Sequence, residues 1–422
     1  MNLFATMKQL SGKWKYYLLI CLPVIINLGN PRWSSVFVIF LSLSWILEGG
    51  LKEKFQRGLR SPLFIGFFLL FLCYPMSLLY TEHLGNGWFN VEKHLSFLFI
   101  PLIILTSEIT KKHVDQILDF FVYSLVVLLV FCLLVAIHSY LMTGETEVRV
   151  GEIIANKFQY YGFVRAIPGW HPTYIAMYLN LAIAIMVVKT AESWRVAGNN
   201  IKWLQIMILL FCVVSVLLLS SMAGIVSLVI VLLFLSSYLL IKYRKKRVLI
   251  IFIVVFTAVT GGTAIIDNRI SESFKSFYFD EIKPTDDQSE RNNLTIRLAK
   301  WETSFEVIRD NFWFGVAPGD TKYELYKGYM KNQYTYLASK KYNAHNQYLE
   351  IMLAFGIVGF SIFTFICGYC LFRGFSEKNL LLITVIFVVG LTCVSESILD
   401  RQQGIMFFSL FLPLLTIRGK NN

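Results

Sequence analysis

The stretch "LDFFVYSLVVLLVFCLLVAIHSYL", residues 118–141, holds one charged side chain, Asp119, in 24 residues. An amphipathic helix of a soluble domain shows an apolar stripe and a polar face, whereas this one is apolar nearly all round. A hydrocarbon core of roughly 30 Å takes about 20 such residues to cross. Comparable runs recur outward in both directions, at 16–29, 34–48, 62–80, 89–106, 171–188, 204–220, 222–241, 248–266, 346–372, 379–398 and 402–417. Of the chain's 422 residues, 56% are hydrophobic and 16% charged, and the mean hydropathy is +0.59. The expectation is an all-α polytopic membrane protein with about 12 transmembrane helices, the first two short, in a single membrane domain over 1–422. No small-residue cleavage site follows the first run, so it reads as a span.

Lysine and arginine set the expected orientation. With the N-terminus in the cytoplasm, the cytoplasmic segments collect Lys8, Lys13 and Lys15, the four basic residues of "LKEKFQRGLR" (51–60), Lys111 and Lys112. They continue with Lys189, Arg195 and Lys202, the five of "KYRKKR" (242–247), Arg373 and Lys378, and Arg418 and Lys420. The short outer loops hold only Arg32, Arg149, Lys157, Arg165 and Arg401. Both termini are therefore expected in the cytoplasm. The formal net charge of +12 is then a matter of topology. It leaves no basic face over for nucleic acid, which is excluded as a partner class.

Two outer segments interrupt the apolar pattern: 142–170, and a large loop over 267–344 in which 12 basic and 12 acidic residues balance. Within the large loop, Leu294, Leu298, Trp301, Phe305 and Ile308 recur at helical spacing and predict an amphipathic helix lying in the membrane interface, with Arg297 at the edge of its stripe. "NFWFGVAPGD" (311–320) reads as the turn that ends it. All seven cysteines fall in apolar runs, and the Cys367–Cys370 pair reads as packing residues.

Chemistry gathers at "AHNQYLEIMLAFGIVG" (344–359), where His345 and Asn346 stand at the outer mouth of a span. By itself this is an interfacial histidine, a helix-capping asparagine, and two glycines, Gly356 and Gly359, that allow close helix packing. A histidine there can also take a proton from a hydroxyl near neutral pH.

These residues resemble the His-Asn, nine residues, Gly-x-x-Gly signature of the O-antigen ligase and O-antigen polymerase family. "RLAKWETSFEVIRDNFWFGVAPGD" (297–320) is similar to that family's Arg…Trp helix and glycine-rich turn, with Ala317 in place of the middle glycine. "VRAIPGWHPTYIAMYLNL" (164–181) is similar to its segment with an arginine before a His-Pro pattern, and "SESILDRQQGIMFF" (395–408) looks like the ending of Bacteroidetes-type members. The resemblance implies a metal-independent glycosyltransferase of the GT-C type, without cofactor, with a large periplasmic loop containing short helices. Such an enzyme moves a glycan from undecaprenyl diphosphate to an acceptor hydroxyl on the periplasmic face. Its partners would be the lipid-linked glycan, membrane lipids, and a lipid A-core or other glycan acceptor. On this resemblance the membrane is a bacterial inner membrane, His345 is catalytic, Arg297 and Arg165 bind the donor diphosphate, and Asn346, His171 and Trp301 support them.

One departure stands out: in "LLLSSMAGIVSL" (217–228), Met222 occupies the place of a family arginine, and Arg401 is the candidate substitute. Polymerase action with a second lipid-linked glycan is the nearest alternative, followed by protein O-glycosylation. A transporter would place ionisable residues deep in broken midplane helices and show repeats, which the sequence lacks.

Overall fold

A computed structural model describes residues 3–150, 153–193, 198–243 and 293–420. The expected span at 248–266, the first part of the large loop, Arg195 and most of "KYRKKR" lie outside the described residues. The chain begins with α1 (Leu3–Leu28), α2 (Pro31–Leu47) and α3 (Leu51–Leu59), followed by α4 (Pro62–Ser77), α5 (Leu84–Lys93), α6 (Leu95–Thr106) and α7 (Lys111–Thr143). A small antiparallel hairpin, β1 (Glu147–Val150) and β2 (Ile153–Asn156), and a short α8 (Tyr160–Val164) precede α9 (Pro172–Ser193), α10 (Asn199–Leu218) and α11 (Met222–Tyr243). After the undescribed stretch come α12 (Asn293–Asp310), α13 (Thr321–Lys331), α14 (Thr335–Lys340), α15 (Gln347–Ser376), α16 (Leu380–Ser395), a 3-10 turn (Ile398–Asp400) and α17 (Gln402–Lys420). The hairpin is the one departure from an all-helical chain among the described residues.

Among the described residues six helical stretches, one of them α5 and α6 taken together, are long and apolar enough to cross a membrane, or seven if the bent pair α2–α3, turned by 113°, forms one span. Two shorter apolar helices, α4 and α16, accompany them. The chain is thus a multi-pass, predominantly helical membrane protein. The first expected span, written as 14 residues long, belongs to a helix of 26 residues. The run at 89–106 is divided at His94 into α5 and α6.

The centre of the bundle is formed by α9 and α17, whose residues are buried almost without interruption. Tyr178 stacks on Phe407 with ring centroids 5.1 Å apart, and Phe121 of α7 meets Phe411 edge-on at 4.7 Å. Outer helices expose the opposite pattern: Val127, Leu134 and Leu141 of α7 point away from the protein, as a lipid-facing surface requires. At one end, Arg418 pairs with Asp115 at 2.9 Å and Glu192 at 3.4 Å, and Lys189 bonds the Asp115 carbonyl at 3.1 Å and also pairs with Asp119. Lys15 and Lys54 both meet Glu48 at 2.7 Å. At the end where α9, α15 and α17 begin and α16 stops, the chain folds into connecting segments and the short helices α12 to α14.

Candidate active site at the mouth of a broken helix

The long helix α15 is not continuous. Gly356 adopts φ +59° and ψ −156°, a conformation that L side chains rarely take. The break strips backbone groups of their helical partners, and inside an apolar bundle each must find another. They are met by the turn 312–317: Val316 N–H donates to Leu353 O at 2.7 Å, Ala317 N–H to Ala354 O at 3.1 Å, and Ile357 N–H to Phe312 O at 2.9 Å. Contact is so close that a Cβ on Gly315 would lie 2.4 Å from Leu353 O, and one on Gly356 equally close to the Trp313 carbonyl. This corrects the expected role of Gly356. It does not admit a neighbouring helix but lets a loop backbone dock into a helix break. Ala317, where the family pattern has a glycine, sits buried at φ +70°.

The far end of that turn is fastened by Asp320, whose carboxylate accepts from Thr81 Oγ1 at 2.8 Å and from the backbone N–H groups of Glu82 and His83, with the His83 ring beside it. Burial raises its carboxyl pKa, but these donors outweigh burial and hold it below the usual carboxylate range. The turn is therefore clamped between α4–α5 and α15, and it carries α12 into place.

The expected stripe on α12 is only partly used. Ile308 is buried but Phe305 is 59% exposed, and the buried face is Ala299, Lys300, Thr303 and Ser304. The small Ala299, Thr303 and Ser304 let α12 pack on α13 and α15, where Ala299 and Ile308 join a second apolar cluster with Leu325, Tyr329 and Leu353.

Just before α15, the segment 343–347 is tied to the segment 396–400 after α16. Asn343 Nδ2 donates to Asp400 Oδ2 at 2.6 Å, and Leu399 N–H donates to Gln347 Oε1 at 2.6 Å. Buried Glu350 accepts from Ala344 N–H at 3.2 Å and from Ser397 Oγ at 3.5 Å. Tyr174 from α9 closes the ring by donating to Ser397 O. Within this lacing His345 takes φ +46°, left-handed backbone that is uncommon for a residue with a side chain. Its imidazole Nδ1 lies 3.4 Å from Glu396 Oε2, with the two side chains 29% and 11% exposed. Tyr342 packs against the imidazole, centroids 5.8 Å apart.

Glu396 is the electrostatic centre. Burial pushes its carboxyl pKa up, but the His345 contact and the neighbouring charge of Arg297 bring it below the ordinary range, so it is ionised at neutral pH. His171, within reach of Glu396, Arg401 and His345, is driven down to about 4, mainly by burial, and is neutral. Its Nδ1 is buried without a partner among the described residues. Lys300 is pushed down to about 7 by burial first and by Arg297 next, against the pull of Glu396.

The expected site residues thus divide. His345, His171, Arg297 and Arg401 share one electrostatic neighbourhood around Glu396, and Arg401 also lies 5.8 Å from the Tyr174 ring. Asn346 is the N-cap of α15, its Oδ1 accepting from Tyr348 N–H at 2.9 Å and Leu349 N–H at 3.2 Å, so its observed work is structural. Trp301 packs against the second apolar cluster, and its indole nitrogen has no hydrogen-bond partner among the described residues. Arg165 caps α8, and among the described residues its buried Nη1 has no hydrogen-bond partner and nothing ties it to the Glu396 group. Met222 opens α11, where its neighbour Ser221 meets Thr173, two residues beyond His171. Glu396, Glu350, Asp400 and Lys300 were not singled out in the sequence. The signal existed for the first two, which are carboxylates inside expected spans.

Residues 207–364 match the family model described as O-antigen ligase. The match runs from α10 into α15 and takes in α12, the docked turn and His345, stopping short of Glu396. No curated protein matches the chain. The chain is thus a multi-pass membrane protein of which residues 207–364 are similar to the O-antigen ligase family.

Proposed function

We propose that this chain, whose residues 207–364 are similar to the O-antigen ligase family, transfers a glycan from undecaprenyl diphosphate to an acceptor hydroxyl, attaching polysaccharide to lipid A-core or a comparable glycan lipid. The observation that carries the reading is the His345–Glu396 pair set beside Arg297, whose guanidinium makes no hydrogen bond among the described residues. In this mechanism Glu396 accepts from Nδ1–H of His345, which leaves Nε2 free to take the acceptor's proton. The acceptor oxygen forms its bond to the anomeric carbon as the bond from that carbon to the diphosphate oxygen breaks. The proton stays on His345, and the diphosphate leaves with the electron pair. Arginine suits that leaving group because its fork stays charged and can grip phosphate oxygens in pairs.

Cations at the site offer the leaving group a counter-charge without a divalent ion, so EDTA is expected to leave transfer intact. The test is transfer from purified undecaprenyl-diphosphate glycan to lipid A-core in detergent. Arg297→Ala is expected to lower turnover by about ten- to a hundredfold, as for one lost charge-assisted contact felt in the transition state, with Lys restoring only part. Wild-type turnover by Arg297→Ala at limiting donor would sink the assignment of this arginine. A product chain lengthened on the lipid carrier, in place of glycan on lipid A-core, would identify the polymerase.

The site is proposed to face the periplasm, which the clustering of basic residues at the opposite end supports. Cysteines at the exposed positions 147 and 331 in a cysteine-free background should react with an impermeant maleimide in intact spheroplasts, and a cysteine at exposed position 60 only after lysis. Labelling at 60 in intact cells would reverse the orientation.

A further inference from the structure

We propose that Lys300 is a further cationic contact to the donor diphosphate, gripping it beside Arg297. The inference rests on the reading of the donor as a lipid diphosphate. Lys300 is 5% exposed, one helical turn from Arg297 on α12, so two cations are held on one face of one helix. Its Nζ lies 3.9 Å from the centre of the Tyr342 ring, and that ring packs on His345. Among the described residues its ammonium meets no hydrogen-bond acceptor and no carboxylate within ion-pair distance.

A buried ammonium beside a guanidinium is costly, and one aromatic face does not repay it. Glu396 is the anion whose charge acts on Lys300, and it is already engaged with His345. An anion with several oxygens can meet both cations at once, and a diphosphate is one. The π face favours the ammonium over the free amine, which fits a phosphate contact better than a base for the acceptor. Met222 leaves the site one arginine short of the family pattern, and Lys300 brings a cation to the same group of residues.

The charge states follow. The groups facing Lys300 are Arg297 on its own helix, Tyr342 and His345 before α15, and Glu396 after α16. Burial and Arg297 by themselves leave Lys300 only partly charged at neutral pH. An arriving diphosphate favours the charged form, so binding above neutrality must draw in a proton and weaken as pH rises. The fall is at most tenfold per pH unit for one proton.

Farnesyl diphosphate, a short soluble polyprenyl diphosphate, is the probe, and its affinity is measured on the purified full chain in detergent between pH 6.5 and 8.5. Lys300→Met is expected to weaken binding about ten- to a hundredfold at pH 6.5. Lys300→Arg, charged throughout, is expected to hold its affinity at pH 8.5, where the wild type has lost several-fold. Any proton taken up by His345 or His171 persists in both variants and cancels between them. If Lys300→Met fails to fold, the pH profile of Lys300→Arg against wild type decides. Equal binding by Lys300→Met and wild type would overturn the proposal. So would normal binding with lost transfer, which would give the lysine to the chemistry. Should wild type bind no polyprenyl diphosphate at all, the donor reading itself fails.

Discussion

Replacing His345 by alanine is expected to lower glycan transfer by about 10²–10⁴-fold while the protein still inserts and accumulates. The expectation rests on the setting of the residue. The lacing of 343–347 to 396–400 holds it in a left-handed conformation that costs on the order of 1 kcal/mol or more for a residue with a side chain. Strain of this kind persists only where the surroundings impose it, and here it aims an imidazole whose Nδ1 already has a carboxylate beside it. Because alanine is strained at the same φ, His345→Asn is the companion variant, since asparagine tolerates the left-handed region. His345→Gln keeps hydrogen-bonding capacity but cannot take up a proton near neutral pH. All three are expected to be inactive with labelled donor at matched protein level. Transfer by the Gln variant within about tenfold of wild type would turn the base into an orienting group. Near-normal transfer by Ala would return His345 to the interfacial role that its position alone suggests.

How far the sequence leads can be seen in three places. The apolar runs announce the long apolar helices because burial in lipid demands apolar residues all round, and those helices, where described, fall on the runs. His345 was legible because a histidine at the mouth of an apolar run is conspicuous. Gly356 was legible as a glycine but not as a helix break, since the residues around it, "LAFGIVG", read as uninterrupted span. Only the docked turn reveals which carbonyls the break frees. On α12 the large apolar residues drew the eye to one stripe, whereas the buried face is made of Ala299, Thr303 and Ser304, whose small size carries no hydropathy signal. Lys300 sits on that face, and nothing in its spacing says that it is buried. Glu396 belongs to the same class of miss: it is separated from His345 by 51 positions and by two helices, and the pair exists only because α15 and α16 return the chain to the same end of the bundle.

That pair yields the second large effect. Glu396→Gln keeps the shape and the acceptor oxygen but removes the charge that orients His345 and stabilises its protonated form. Turnover is expected to fall on the order of 10²–10³-fold, as for the loss of an orienting carboxylate. Donor affinity is expected to move the other way or not at all, because the substitution removes an anion that stands within reach of Arg297 and Lys300. A carboxylate that merely braced the fold would show neither the split between turnover and affinity nor its sign. The double variant Glu396→Gln with His345→Gln sharpens the test. If the two groups act as one unit, the second substitution adds almost nothing to the first, and the losses are far from additive. Multiplying losses would mean that Glu396 acts elsewhere, and a Glu396→Gln enzyme that turned over normally while binding donor less tightly would put the carboxylate on the donor side of the site.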